Sequence, residues 1–358
     1  MVINTPTLRD EIELNLMEMF NEVRPFSPNE DTVSKYKDGG FGTSNLAFAL
    51  YSNGHNKRGL STQNPYGLIY EDGMTIFSLG YFKRELDPTN EKGFVTIVAP
   101  RGKDRIETIK TVDKFTNKIL GSNLPCRGIY ARFLTLDQYK QLLNQGFSPI
   151  EEAPWHDDAP KEDETYTNSI LDIRATRKNM RLARNRFENF LRRNCLEYKV
   201  ETLTPNHKDS AMSILHVHFK MLKAMGKQIG STPEDHYNSL DSNFLNLKEV
   251  YGTIGFLGGI PASFFVGESL SSNRVGLYSG YTLRQIESVG QLGVSNPTGF
   301  SAIPLYAYSV LIDNLSDLGF EELHLGGSEL PSLNKFKRGL GAQRDPTYWA
   351  LKLKDTVE

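Results

Sequence analysis

The chain has 358 residues, of which 39% are hydrophobic, 11% aromatic and 23% charged, and 41 basic against 43 acidic residues leave a net charge of −2. That length is comfortable for two domains, no run approaches the ~20 apolar residues of a membrane-spanning helix, and the balanced charge confines any nucleic-acid contact to a local patch. Asp10, Glu11, Glu13, Glu18 and Glu22 stand where an export signal would be apolar, so neither a cleaved signal nor integral membrane association is expected.

Periodicity predicts a helix from Leu8 to Phe20, then β-like runs near Leu46 to Tyr51, Tyr66 to Ile69, Thr75 to Leu79 and Phe94 to Val98. A helix from Asp104 to Leu120, a strand at Gly128 to Ala131 and a helix from Leu136 to Asn144 follow. The stretch Glu151 to Glu164 has seven acids and two prolines in fourteen residues; it buries too little apolar surface to offset its ordering entropy and reads as an exposed linker. Cys126 and Cys195 lie in no CxxC or Cys/His spacing, which excludes a disulfide framework or a cysteine-ligated zinc centre and fits reduced thiols in a cytoplasmic protein.

Beyond the linker, Tyr198 to Leu203 reads as a strand and Thr204-Pro205 starts a helix over His207 to Met225. Thr232 caps a helix from Pro233 to Leu245. Three β-rich runs, Val250 to Phe256, Ala262 to Glu268 and Val275 to Leu283, are separated by Gly258-Gly259 and Ser271-Ser272-Asn273, the pattern of an antiparallel meander. A helix from Ile303 to Leu318 ends at Gly319; then come a short strand at Glu322 to Leu325, a short helix at Ser332 to Leu340 and a last strand at Tyr348 to Leu353.

This order, β-α-α-β-β-β-α-β-α-β, is that of the GNAT acyltransferase fold. The first half repeats its tail of long helix, strand and short helix. The chain is therefore expected to be α/β with mixed sheets, two GNAT-like (acyl-CoA N-acyltransferase-like) domains in tandem over residues 1–150 and 165–358, joined by the acidic linker 151–164.

The segment Leu323 to Ala342, LHLGGSELPSLNKFKRGLGA, is the most distinctive. A strand delivers Gly326, Gly327 and Ser328, and a short helix then carries Lys335, Phe336, Lys337 and Arg338. Glycines at a strand end let backbone approach a ligand and leave amide donors free, and nearby cations attract phosphate or steady an oxyanion. A tight connection with a solvated basic face has the same spacing. The ending resembles the "FK..fG" signature of the Fem-type aminoacyltransferases and of the C-terminal domain of phosphatidylglycerol lysyltransferases. Tyr166 to Lys199, with its basic run RKNMRLARNRFENFLRRN, resembles the lysyltransferase domain as well.

The resemblance implies transfer of an aminoacyl group from aminoacyl-tRNA to an amine or hydroxyl acceptor, small molecule or peptide, with no cofactor required. It implies that Phe336 and Lys337 match the family's pair, with Lys337 at the donor phosphate or the tetrahedral intermediate and Gly326, Gly327, Ser328, Lys335 and Arg338 around the donor. Between Arg174 and Arg193 stand eight basic residues and one acid, Glu188. On a helix, Arg174, Arg177, Lys178, Arg181, Arg184 and Arg192 share a broad face and Met180, Ala183, Phe187, Phe190 and Leu191 another, so one face can pack on a core while the other meets the phosphates of tRNA or is merely solvated.

An acyl-CoA donor is the alternative. The loops that would cradle its pyrophosphate read QLGVSNPTGFSAIP, with Gln291 and Gly293, and VAPRGKDRIET, with Arg101, Gly102 and Lys103; neither has the GxG spacing. Acid/base candidates are Tyr278 and Tyr281 on a cleft-lining strand and Glu329 past the turn, each as readily a packing or capping residue. His216 and His218 are two apart on a helix and form no metal pair. No metal is expected. A non-catalytic binding module remains the third reading.

Overall fold

The computed structural model describes residues 8–26, 36, 40, 42, 44, 67–82, 93–149, 167–224, 232–234, 237, 250–283, 302–327 and 331–354. The expected strand at Leu46 to Tyr51, the acidic linker and most of the helix expected from Pro233 lie outside them. By packing, the chain divides into an N-terminal unit, Met1–Asn168 with Gly327–Pro331 and Asp345–Glu358, and a C-terminal unit, Ser169–Gly326 with Ser332–Arg344.

The N-terminal unit begins with α1 (Leu8–Met19) and the short strand β1 (Val23–Pro25). Strands β2 (Leu68–Glu71), β3 (Thr75–Phe82) and β4 (Gly93–Gly102) form an antiparallel meander. Helix α2 (Arg105–Leu120) then crosses over to β5 (Cys126–Leu134), which runs parallel to β4. The Asp104 carboxylate starts α2 by accepting from the amides of Ile106 and Glu107 at 2.7 and 3.0 Å. Ile109, Val112, Phe115 and Ile119 recur at helical spacing and are buried against Phe77 and Tyr70 of the sheet. A capping box between Thr135 and Gln138 opens α3 (Leu136–Asn144), which leads to the two-residue strand β6 (Ser148–Pro149).

The C-terminal unit has β7 (Thr167–Asp172), the long basic helix α4 (Ile173–Arg193), β8 (Tyr198–Thr202) and α5 (Lys208–Ala224). The meander β9 (Val250–Leu257), β10 (Ile260–Ser271) and β11 (Arg274–Thr282) follows. Helix α6 (Ile303–Asp317), β12 (Glu322–His324), α7 (Pro331–Gly339) and β13 (Gln343–Pro346) complete it. Its sheet order is β13-β7-β12-β11-β10-β9-β8; from β7 to β8 the pairs are antiparallel except for β11–β12, which is parallel. Leu171, Met180, Val275, Leu311, Ile312, Leu323 and Leu340 pack one face into a core under α4, α6 and α7. The expected α/β class with mixed sheets is what the chain forms.

One element departs from the expected boundaries. The last strand, β14 (Tyr348–Leu353), is not in the sheet of the C-terminal unit: it lies between β5 and β6 in the other, whose order is β1-β2-β3-β4-β5-β14-β6. Its closeness to β5 demands glycine at position 128, where a Cβ would run into the Lys352 carbonyl oxygen. Lys352 Nζ ties the strand to its surroundings, donating to Asn117 Oδ1 at 2.9 Å and the Gln145 carbonyl at 2.8 Å. Trp349 joins Tyr130 and Phe94 in a small second core and lies 4.0 Å under the Arg132 guanidinium.

At the edge of the C-terminal sheet, Tyr198 shares a 2.6 Å hydrogen bond with Ser263, and burial, the larger effect, pushes its phenol up to about 12 against the Ser263 bond. The folded chain therefore holds this proton more tightly than the unfolded chain, whose phenol titrates near 10. The stabilisation is complete below pH 10 and is lost as pH rises through about 12. Tyr198→Phe is expected to flatten the fall in melting temperature over that window; an unchanged alkaline slope would assign the fall to other groups.

Candidate functional site

In the C-terminal unit the two parallel strands pair over three residues and then part. Arg274, Val275 and Gly276 pair with Glu322, Leu323 and His324. β12 then stops, while β11 continues to Thr282 with no described strand on that side. Past His324 the chain bends to β7, Leu325 N–H donating to the Ser169 carbonyl at 2.7 Å and Ser169 N–H to the Gly326 carbonyl at 3.1 Å. Opposite, Leu277 and Ser279 face the adjacent residues Gly267 and Val266, leaving Tyr278 as the extra residue of a β-bulge, a device that re-aims a side chain and frees backbone from the ladder. A crevice at the carboxyl ends of diverging parallel strands is where α/β sheets bind ligands.

The bend at Gly326 is over-determined. Its φ of 65° is in the left-handed region, which glycine enters without strain. Its N–H donates to Nδ1 of the fully buried His324 at 3.3 Å, which leaves the neutral ring its proton on Nε2. Lys337, only 6% exposed, reaches back from α7 and donates from Nζ to the carbonyls of Leu325 at 2.8 Å and Gly326 at 3.1 Å. The Gly326 amide expected to be free for a ligand is thus taken by His324, and Lys337 holds the strand end with two of its N–H groups.

Aromatic rings pack against β11 beside this parting. Tyr308 of α6 is packed between Phe265, at 4.9 Å, and Phe336, at 5.3 Å between ring centroids. A side chain at Gly280 would meet the Phe265 ring at 2.9 Å and the Tyr308 hydroxyl at 3.1 Å, so this glycine lets β11 lie directly against both. Burial raises the Tyr308 phenol well above its ordinary value, and it stays a neutral proton donor through the physiological range.

The remaining expected residues separate into groups. Tyr278 is half-buried on the bulge, and Phe336 half-buried against Tyr308. Lys335 and Arg338 are exposed, and Gly327 is half-buried. Ser328 and Glu329 lie outside the described residues. Tyr281 packs against His218, at 5.2 Å, and Phe264, at 5.1 Å. Among the described residues no cluster of metal-ligating side chains occurs; His216 is 3.4 Å from Glu234. The sequence reading missed Tyr308 and His324, and also Asn168, just before Ser169 on β7, which is 1% exposed with neither amide atom hydrogen-bonded. The glycine inside the β run, Gly280, was the available signal for Tyr308, since an interior strand glycine marks close approach.

The basic helix α4 is divided by its neighbours. Arg177 lies 2.8 Å from Asp313 of α6, to which Arg184 is also paired, and Arg174 is 3.4 Å from Glu321. Arg192 donates to Asn189 at 2.8 Å. Lys178 and Arg181 are exposed and make no ion pair among the described residues. The six cations expected to act as one face are thus partly committed within the fold.

The corner at Arg101 to Lys103 is packed by the fold itself. Arg101 is 5% exposed and donates to the Tyr36 carbonyl at 3.4 Å. A Cβ at Gly102 would strike the Met74 carbonyl and the Thr108 hydroxyl. The first amides of α2 are already filled by Asp104, an anion where a phosphate would have to sit.

No family model matches the sequence, and no curated protein matches it. Solved structures do. A conserved protein of unknown function from Bacteroides thetaiotaomicron superposes with a TM-score of 0.61 at 11% identity, over 93% of this chain and 99% of its own. FemX gives 0.56 at 11% identity, over 93% and 97%. A tandem GNAT protein from the clavulanic acid biosynthesis pathway gives 0.45 at 9% identity, over 94% and 99%. No described helix is long and apolar enough to cross a membrane. At these identities the likeness concerns architecture, and in architecture the expected resemblance holds: over nearly its whole length, this chain has the fold of FemX.

Proposed function

We propose that the chain is an acyltransferase whose C-terminal unit takes the acylated end of an aminoacyl-tRNA in the crevice between β11 and β12. There it passes the aminoacyl group to an amine or hydroxyl acceptor. The observation that carries this reading is the parting of two parallel strands beside a bulge and a neutral, buried tyrosine. Backbone freed from the ladder supplies dipoles for a carbonyl oxygen as it becomes an oxyanion. In the step itself the acceptor nitrogen or oxygen forms a bond to the carbonyl carbon and the ester C–O bond to ribose breaks. The acceptor gives up a proton and the leaving ribose oxygen gains one. In this reading Tyr278 hands over that proton, and Tyr308 and Phe336 form the wall.

Little acid/base assistance is required, because the ester is already reactive and positioning supplies much of the acceleration. Lys337 acts here by fixing the strand end beside the donor, together with Gly326; Lys335 and Arg338 on the exposed side of α7 offer charge to the donor's phosphates. Such a donor is made where translation occurs, so the reading carries a cytoplasmic location with it. The acyl-CoA alternative is disfavoured in the N-terminal unit by the Asp104 carboxylate on the amides of α2.

The test uses the full chain, tRNA charged with a labelled amino-acid mixture, and labelled acetyl-CoA, each with a panel of small amines and short peptides. Transfer of label from tRNA to an acid-soluble acceptor, slowed at least tenfold by Tyr278→Phe, is expected. Consumption of acetyl-CoA alone would replace the donor, and transfer from neither would favour a non-catalytic binding module.

A further inference from the structure

We propose that an outer row on α4, formed by Lys178, Arg181, Arg186 and Arg193, is the surface on which the RNA of the donor lies, and that Asp313 withholds Arg177 and Arg184 from it. This rests on the aminoacyl-tRNA reading but assigns a footprint different from the six-residue face that the helical projection alone suggests. Eight cations and one acid over Arg174 to Arg193 stand in a chain of net charge −2. The acid, Glu188, is held by Arg184 at 2.9 Å. All four residues of the row are exposed and none is ion-paired among the described residues.

Stability accounts for Arg193, in the last turn where a cation suits the macrodipole, but not for the N-terminal half of that row. Beyond its N-cap Asp172, which accepts from the Ala175 amide at 2.8 Å, α4 has no acid in its first turn, and cations near a helix N-terminus oppose the macrodipole. Arg174 and Lys178 are spaced i,i+4, as are Arg177 and Arg181, an arrangement in which like charges repel. Arg174 and Arg177 are compensated by Glu321 and Asp313; Lys178 and Arg181 are not. An external polyanion relieves both costs. From Lys178 to Arg193 the row runs about 22 Å along the helix, at ~1.5 Å per residue, long enough to follow several phosphates. Asn185 and Asn189 lie exposed among the cations and are of the kind that hydrogen-bonds phosphate and sugar. A membrane surface needs an apolar wedge, whereas only Leu182, 61% exposed, interrupts this face.

The measurement is binding of deacylated tRNA to the full chain across a potassium chloride series, alongside tRNA-dependent transfer. Replacing all four residues by alanine is expected to weaken binding at least tenfold near 0.1 M salt. It should also make the log–log salt slope shallower by roughly 3, at about 0.7–0.9 per lost phosphate contact. Arg174→Ala should change little, and Asp313→Asn should tighten binding and steepen the slope by releasing the Arg177 guanidinium, while Arg184 keeps Glu188. Undiminished binding or an unchanged KM for tRNA in the four-alanine variant would overturn the footprint while leaving the donor reading standing. Loss of RNA binding in that variant, with no transfer by the unaltered chain from any aminoacyl-tRNA, would sink the donor reading and keep the surface. Binding to phosphatidylglycerol vesicles, lost in the variant, without binding to tRNA would overturn the RNA partner.

Discussion

Ending the chain after Pro346 is expected to melt the N-terminal unit, although the deleted residues lie almost two hundred positions beyond its other strands. β14 is an interior strand of that sheet, hydrogen-bonded to β5 on one side and β6 on the other. Its removal exposes two edges and withdraws Trp349, Ala350 and Leu351, all buried. At ~1.5–3 kcal/mol per large apolar side chain, the lost burial alone is about 5 kcal/mol. That is comparable with the whole stability of a typical domain, ~5–15 kcal/mol. The truncated protein should lose the cooperative melt of that unit in calorimetry. A melt that persists within a few degrees would show that β5 and β6 close up without it.

Lys337→Met is expected to lower the melting temperature of the C-terminal unit as well as activity. The methionine keeps most of the packing of the lysine stem but leaves the Leu325 carbonyl without the ammonium, while the Gly326 carbonyl retains the Ser169 N–H. A buried acceptor stripped of its donor costs ~1–3 kcal/mol, and a hydrogen bond to a charged group contributes ~1.5–3 kcal/mol. A net loss of about 2–3 kcal/mol, read as a fall of roughly 5–10 °C, follows. A variant that melts normally but no longer turns over would move Lys337 from support of the strand end to the reacting atoms.

Much of this architecture was legible in the sequence, because local rules set it. Helical periodicity gives α3 at its observed bounds, and the meander is marked by its turns. What stayed hidden was long-range partnership. The short apolar run in Tyr348 to Leu353 reads as a strand buried on both faces, but such a run says nothing about which sheet receives it. Two- and three-residue strands such as β6 and β1 give too few positions for any period to show. The same limit affected the site. The Phe336-Lys337 pair was legible as a motif, yet that the ammonium turns onto the Leu325 and Gly326 carbonyls depends on the path of the chain before α7. On α4 the projection found the cations but not Asp313, more than a hundred residues away, which claims two of them.

The placement of β14 bears on how the protein is made. A ribosome releases the N-terminal strands first, and an ordinary first domain would finish folding while the second was still being synthesised. Here the interior seat between β5 and β6 stays vacant until Tyr348 to Leu353 emerge. The nascent N-terminal unit must wait through some two hundred further residues with an unpaired, aggregation-prone strand edge. The N-terminal unit therefore completes its sheet only after Leu353 has been made, which makes chaperone dependence during synthesis, rather than stability once folded, the point at which late truncations and stalled chains would be most damaging.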